Sequence, residues 1–156
     1  MPTKSKSVPS HIYLRAASGD IAIIAEAAEG EEKKLRRFSM RAYTGGAMNL
    51  SGWPYPVVVD LAGLQVGKKS RPILKDHNTG SIVGHTDAVT NESGILSVAG
   101  VVSGVGAAAQ EVIGASDNGF PWPASIGANV KTVVFVPEGK SATANGWEFD
   151  GPVYVV

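Results

Sequence analysis

A serine and a histidine carry the chemistry that this sequence supports best. Ser125, in Ala124-Ser125-Ile126-Gly127, opens the strand-like run SIGANVKTVVFV just after the proline-rich turn GFPWP. His77 closes the apolar segment RPILKDH, before the turn Asn78-Thr79-Gly80. A serine hydroxyl is a weak nucleophile until a neutral imidazole within hydrogen-bond reach takes its proton as attack proceeds. The chain holds no cysteine, which excludes disulfides, zinc thiolates and thiol catalysis together. The other histidines are His11, near the start, and His85, across a hairpin turn from His77. Even with Asp76 and Asp87 they make no metal-ligand spacing, so no metal is expected, and no cofactor.

The local motif alone does not make Ser125 a nucleophile. Serine is common at turns and caps. In Pro123-Ala124-Ser125-Ile126-Gly127 a proline stands where a GxSxG elbow has its first glycine. Other chemistries fare worse. The carboxylates are scattered, without the close pair of a glycosidase. The glycines, Gly45-Gly46 among them, belong to no phosphate-binding loop. Trp53, Trp122 and Trp147 read as packing anchors.

The elements that must position Ser125 and His77 are short strands. Nineteen glycines and nine prolines in 156 residues punctuate the chain at short intervals, as in proteins of short strands and tight turns. Residues 12–17 and 20–28 are strand-compatible, as is LRRFSMRAYTG after the charge run EGEEKKLRR, which reads as a solvated loop or short helix. VVVDLAGL is a short buried strand. RPILKDH, SIVGHTDAVT and GILSVAGVVSG, joined by NTG and NESG, form a three-strand meander. Val105, Ala108, Ala109, Val112 and Ile113 follow helical spacing and predict a helix ended by Gly114 or Gly119. Strict alternation from Ser125 sends Ile126, Ala128, Val130 and Val134 to the core and leaves the serine with Gly127, Asn129 and Lys131 on the other face. PEGKSATANG reads as a polar loop and WEFDGPVYVV as a final strand.

The order of these features resembles the prohead maturation proteases of tailed bacteriophages, which are related in fold to the herpesvirus maturation protease. The resemblance is carried by RAYTGGAMNLSGWPYPVVVDLAGL, RPILKDHNTGSIVGHTDAV, GILSVAGVVSG and AAAQEVIGASDNGFPWPASIGANV. It implies a mainly β, closed or nearly closed barrel with one or two flanking helices. It also implies a serine endopeptidase that works in the host cytoplasm inside the immature prohead, cutting scaffold and capsid-protein segments and itself. His77 corresponds to the family's catalytic histidine and Ser125 to its nucleophile. A third member comes after the nucleophile in this family. Glu138, Glu148 and Asp150 are candidates, with His85 reachable through the hairpin or a residue beyond Val156.

Composition sets the outer bounds. The chain suffices for one domain, expected over residues 11–156 behind a flexible tail over residues 1–10. The apolar run ending at Val156 reads as a domain cut short. Fourteen basic residues balance fourteen acidic ones, so charge points to no nucleic-acid partner. The apolar runs are strand-sized, so no membrane partner is expected. Self-association is left open. The rival reading is a catalytically incomplete barrel that serves capsid assembly as a structural or scaffold-binding module. A small-ligand-binding barrel would need a deep apolar pocket, which the periodicity does not demand.

Overall fold

A computed structural model of the chain describes residues 8–15, 22–24 and 35–156. The architecture is mainly β. In chain order the elements are β1 (His11–Arg15), β2 (Ala22–Ile24), β3 (Arg37–Tyr43), β4 (Val57–Val58), β5 (Pro72–Leu74), β6 (Ile82–Glu92), β7 (Ile95–Val101), α1 (Ala107–Asp117), β8 (Ser125–Asn129), β9 (Val134–Val136), β10 (Ser141–Ala144), β11 (Trp147–Asp150) and β12 (Val153–Val155). Two 3-10 turns, Leu61–Gly63 and Lys75–His77, complete them.

Among the described residues the strands do not close into a barrel. They form a five-stranded sheet in the order β2-β3-β7-β6-β5, a three-stranded sheet β4-β12-β9, and two ladders of two strands, β1-β8 and β10-β11. The reason lies in two runs that sequence reads as single strands. SIGANVKTVVFV breaks after Asn129, so that β8 and β9 enter different sheets. Val134, expected in the core, is exposed there. WEFDGPVYVV breaks at Gly151-Pro152, where proline has no N–H to give to a ladder. Its halves become β11 and β12, again in different sheets.

The expected meander is present. β5, β6 and β7 pair antiparallel in sequence, with the β6–β7 reversal at Ser93 and Gly94, both left-handed. The segment read as a polar loop instead holds β10, which turns into β11 through Asn145-Gly146. Both residues have positive φ, the geometry that an Asn-Gly hairpin turn needs. Asn145 also ties this hairpin to the body of the protein. Its Oδ1 accepts from the Leu61 N–H at 2.9 Å, and its Nδ2 donates to the carbonyls of Val59 and Gly45 at 2.7 and 3.1 Å.

The helix appears where its period predicts, with its start displaced. Gly106 is the N-cap, and Val105, expected on the apolar face, stands outside at 91% exposure. Ala109 and Val112 are the buried positions. Gly114 continues the helix and Gly119 ends it. The Gly119 N–H donates to the Ser116 carbonyl, and the Phe120 N–H reaches back to Ala115, a Schellman closure around a left-handed glycine. Of the tryptophans, Trp53 is buried and Trp122 donates to the Val112 carbonyl at 3.2 Å, whereas Trp147 is 64% exposed.

One main core joins the five-stranded sheet to its neighbours. Leu96 and Val98 on the inward face of β7 meet Phe38 from β3, Val83 from β6, Ala109 and Val112 from α1, and Ile12 from β1. Val8 packs against this core, and the Ser10 carbonyl accepts from the Val130 N–H at 2.8 Å. Residues 1–7 of the expected tail, and most of the charge run, lie outside the described residues.

Tyr43 shows how the core handles a polar atom. It is 2% exposed, and its hydroxyl donates to the Gly46 carbonyl while accepting from the Val59 N–H at 3.1 Å. Burial raises its pKa, partly offset by the bond from Val59. Tyr43→Phe strands a donor and an acceptor, and is expected to cost about 1–3 kcal/mol in urea unfolding. Gly84→Ala tests a close backbone approach: a Cβ there would stand 2.1 Å from the Val101 carbonyl oxygen. It should destabilise the protein by at least about 2 kcal/mol, because a strand must move. The Asp117 carboxyl, bonded by Arg36 from just before β3, titrates below its ordinary value. Its contribution is therefore present at neutral pH and lost as pH falls through the lowered value. Arg36→Gln should move the Asp117 midpoint back up in an NMR titration.

Candidate active site

Ser125 is the first residue of β8, which pairs antiparallel with β1 in the register His11 to Asn129, Tyr13 to Gly127 and Arg15 to Ser125. Side chains directly opposite share a face. Ser125, Gly127 and Asn129 therefore lie on one side of this ladder with His11 and Tyr13, while Ile126, Ala128 and Val130 pack on the main core. This is the alternation read from the sequence. His11, near the start, is the first residue of β1, its Nδ1 3.0 Å from the Asn129 Oδ1.

His77 reaches the site by a different route from the one expected. The strand read as ending at His77 stops at Leu74, and Lys75–His77 forms a 3-10 turn. The chain has to reverse between β5 and β6, and a short set of backbone bonds does it. The Lys75 N–H donates to Ser81 at 2.9 Å, the Asn78 N–H to Lys75 at 3.0 Å, and the Ser81 N–H to Asn78 at 2.9 Å. The Asn78 side chain accepts from the Gly80 N–H at 2.8 Å. Closing this loop puts Asp76 and His77 at φ 54°, a left-handed conformation that costs a non-glycine residue about 1–3 kcal/mol. Lys75 Nζ meets Glu111 Oε2 at 2.5 Å and ties the loop to α1. The hydrogen bond to Glu111 raises the Lys75 pKa.

The outcome is contact between the two residues singled out by sequence. His77 Nε2 lies 2.6 Å from Ser125 Oγ. With Nε2 turned to the hydroxyl, the imidazole has the orientation in which it can accept the serine proton and return it later. The Tyr13 ring packs against His77, centroids 4.6 Å apart and tilted by 53°. A cavity of about 1130 Å³ borders both catalytic candidates, and most of its lining is apolar, with Ile12, Ile73, Leu74 and Ile126 on or beside the site strands and turn.

The four residues considered for a third position are placed elsewhere. Glu148 accepts from the Ser141 hydroxyl at 2.8 Å. Asp150 lies opposite Ser141 in the β10–β11 hairpin, and Glu138 in the loop before β10. His85 turns its Nδ1 to the Ser103 hydroxyl at 2.6 Å. None of the four hydrogen-bonds His77 among the described residues, and no group of three metal-ligating side chains occurs among them.

Sequence reading missed Tyr13 and Ser103, and gave Gly127 a place on the serine's face without a role. The rings at positions 11 and 13 alternate onto one strand face, a signal present in the sequence, but nothing in it says which strand they pair with. Among the described residues no helix is long and apolar enough to cross a membrane. Comparison with known proteins gave no match to a family model, a curated protein or a solved structure.

Proposed function

We propose that the protein is a serine endopeptidase of the prohead-maturation kind, with Ser125 as nucleophile and His77 as general base and then general acid. The observation that carries this reading is the 2.6 Å contact of His77 Nε2 with Ser125 Oγ. In the first step Ser125 Oγ bonds to the carbonyl carbon of the scissile peptide while its proton passes to His77 Nε2. Collapse of the tetrahedral intermediate breaks the C–N bond, and the Nε2 proton goes to the leaving amine. Water then attacks the ester, giving its proton to Nε2. The Ser125–acyl bond breaks, and that proton returns to the serine oxygen.

The substrates on this reading are scaffold and capsid-protein segments, met in the host cytoplasm inside the immature prohead. The apolar cavity beside the pair supports an uncharged substrate segment next to the cut bond. The herpesvirus-protease type of barrel belongs to the same proposal, as a closure of the strand set that the resemblance implies.

His85 and Ser103 make a second pair at 2.6 Å. Two observations favour Ser125: it borders the cavity while Ser103 does not, and its histidine approaches through Nε2. Treatment of the full chain with a fluorophosphonate, followed by peptide mapping, decides between them. The adduct is expected on Ser125 and absent from Ser125→Ala. His77→Ala should slow labelling by about 10²–10⁴-fold. An adduct on Ser103, or none, overturns the assignment, and cleavage of a capsid or scaffold protein that survives Ser125→Ala overturns it independently.

A further inference from the structure

We infer that Tyr13 is a positioning residue for His77, holding the imidazole against Ser125 by ring packing; this rests on the Ser125–His77 reading above. Three observations point to it. The Tyr13 and His77 rings lie 4.6 Å apart at 53°, within the range of about 4.5–7 Å in which aromatic rings attract in tilted or edge-on arrangements. None of the four acid or histidine candidates bonds His77, while the Tyr13 ring packs on the same imidazole that turns Nε2 to Ser125. And Tyr13 stands on the ladder that carries the nucleophile, paired with Gly127, two residues along the same face from Ser125.

The placement of Tyr13 is itself built. Its ring meets His11 edge-on, centroids 5.0 Å apart at 73°, and His11 is held by Asn129 at 3.0 Å. Both rings lie over Gly127. A Cβ there would stand 2.9 Å from His11 Nε2 and 3.3 Å from Tyr13 Cε1. Glycine at this position thus opens the slot the rings fill. A line of contacts runs Asn129–His11–Tyr13–His77–Ser125, beginning and ending on one strand. The base comes from the five-stranded sheet and the nucleophile from the β1–β8 ladder, and Tyr13 couples the two. Tyr13 is 45% exposed, so its substitution should leave the fold intact.

The test compares fluorophosphonate inactivation of wild type, Tyr13→Ala, Tyr13→Phe and Gly127→Ala, separating the maximal rate from the half-saturating concentration, with thermal unfolding alongside. Tyr13→Ala should lower the maximal rate about 10–100-fold, the scale of a small misplacement of a catalytic group, with the half-saturating concentration and unfolding midpoint little changed. Tyr13→Phe keeps the ring and should restore the rate to within about threefold, while Gly127→Ala should fall between the two. A Tyr13→Ala rate within about twofold of wild type overturns the inference, as does a Tyr13→Phe rate as low as that of Tyr13→Ala. So does a loss that appears only in the half-saturating concentration or tracks lost folding. Wild type that fails to label Ser125 overturns the hydrolase reading and takes this inference with it, whereas labelling that Tyr13→Ala leaves intact overturns this inference alone.

Discussion

His77 and Ser125 meet across a boundary between two sheets, and that meeting constrains most of what surrounds it. The histidine is carried on the β5–β6 reversal at the edge of the five-stranded sheet. The serine starts a strand whose only described partner is β1. A hydrogen bond of 2.6 Å tolerates little drift between its carriers, because such bonds weaken quickly with distance and angle. The two carriers are joined by the shared core, where Ile12 of β1 meets the inward residues of β3, β6 and β7. The Lys75–Glu111 pair braces the loop against α1. An exposed pair is screened by solvent and contributes little, so packing, and not this bridge, holds the loop in place.

The local backbone around His77 runs against residue preference. Two consecutive non-glycine residues, Asp76 and His77, hold left-handed angles, which glycine or asparagine adopts more readily. Neighbouring interactions must over-determine that geometry. The bonds linking Lys75, Asn78, Gly80 and Ser81 do so at the loop. Further back, β6 presses close to β7, where Gly84 and Gly100 each face a carbonyl oxygen that a Cβ would strike at 2.1 Å. Glycine is required at both positions because the approaching atom is backbone and cannot rotate away. Backbone strain of this kind clusters at functional sites, which is one support for the proposed reading of His77.

Much of this was legible from residue order, and the failures share a cause. Apolar period located α1, and alternation placed Ser125 on the face opposite Ile126 and Ala128. Turn residues gave the meander. Reading long apolar runs as single strands failed at Val130 and at Gly151-Pro152, because period alone does not say when a chain leaves one sheet for another. The Asn145-Gly146 hairpin carried a strong turn signal inside a segment dismissed for its polarity. The turn at His77 was hidden for a different reason. RPILKDH reads as extended, and only the need to close on Ser81 forces residues 75–77 out of the strand. Tyr13 was hidden because its importance depends on strand pairing across more than a hundred residues.

The two serine–histidine pairs show why distance alone does not choose a nucleophile. Both are 2.6 Å apart. At His85 the hydroxyl engages Nδ1, and the pair joins β6 to the segment just after β7, next to strands already fixed by their ladder. That bond has a sufficient role in covering a sheet surface. At His77 the bond spans separate sheets, the backbone is left-handed, an aromatic ring presses on the imidazole, and a cavity borders both partners. A purely structural hydroxyl–imidazole bond needs none of these. A ring contact can fix where the imidazole sits, but it cannot choose which nitrogen carries the proton, since it makes no hydrogen bond to either. On the proposed reading, such a base takes its tautomer from solvent or a bound group at Nδ1, which leaves Nε2 as the acceptor facing Ser125.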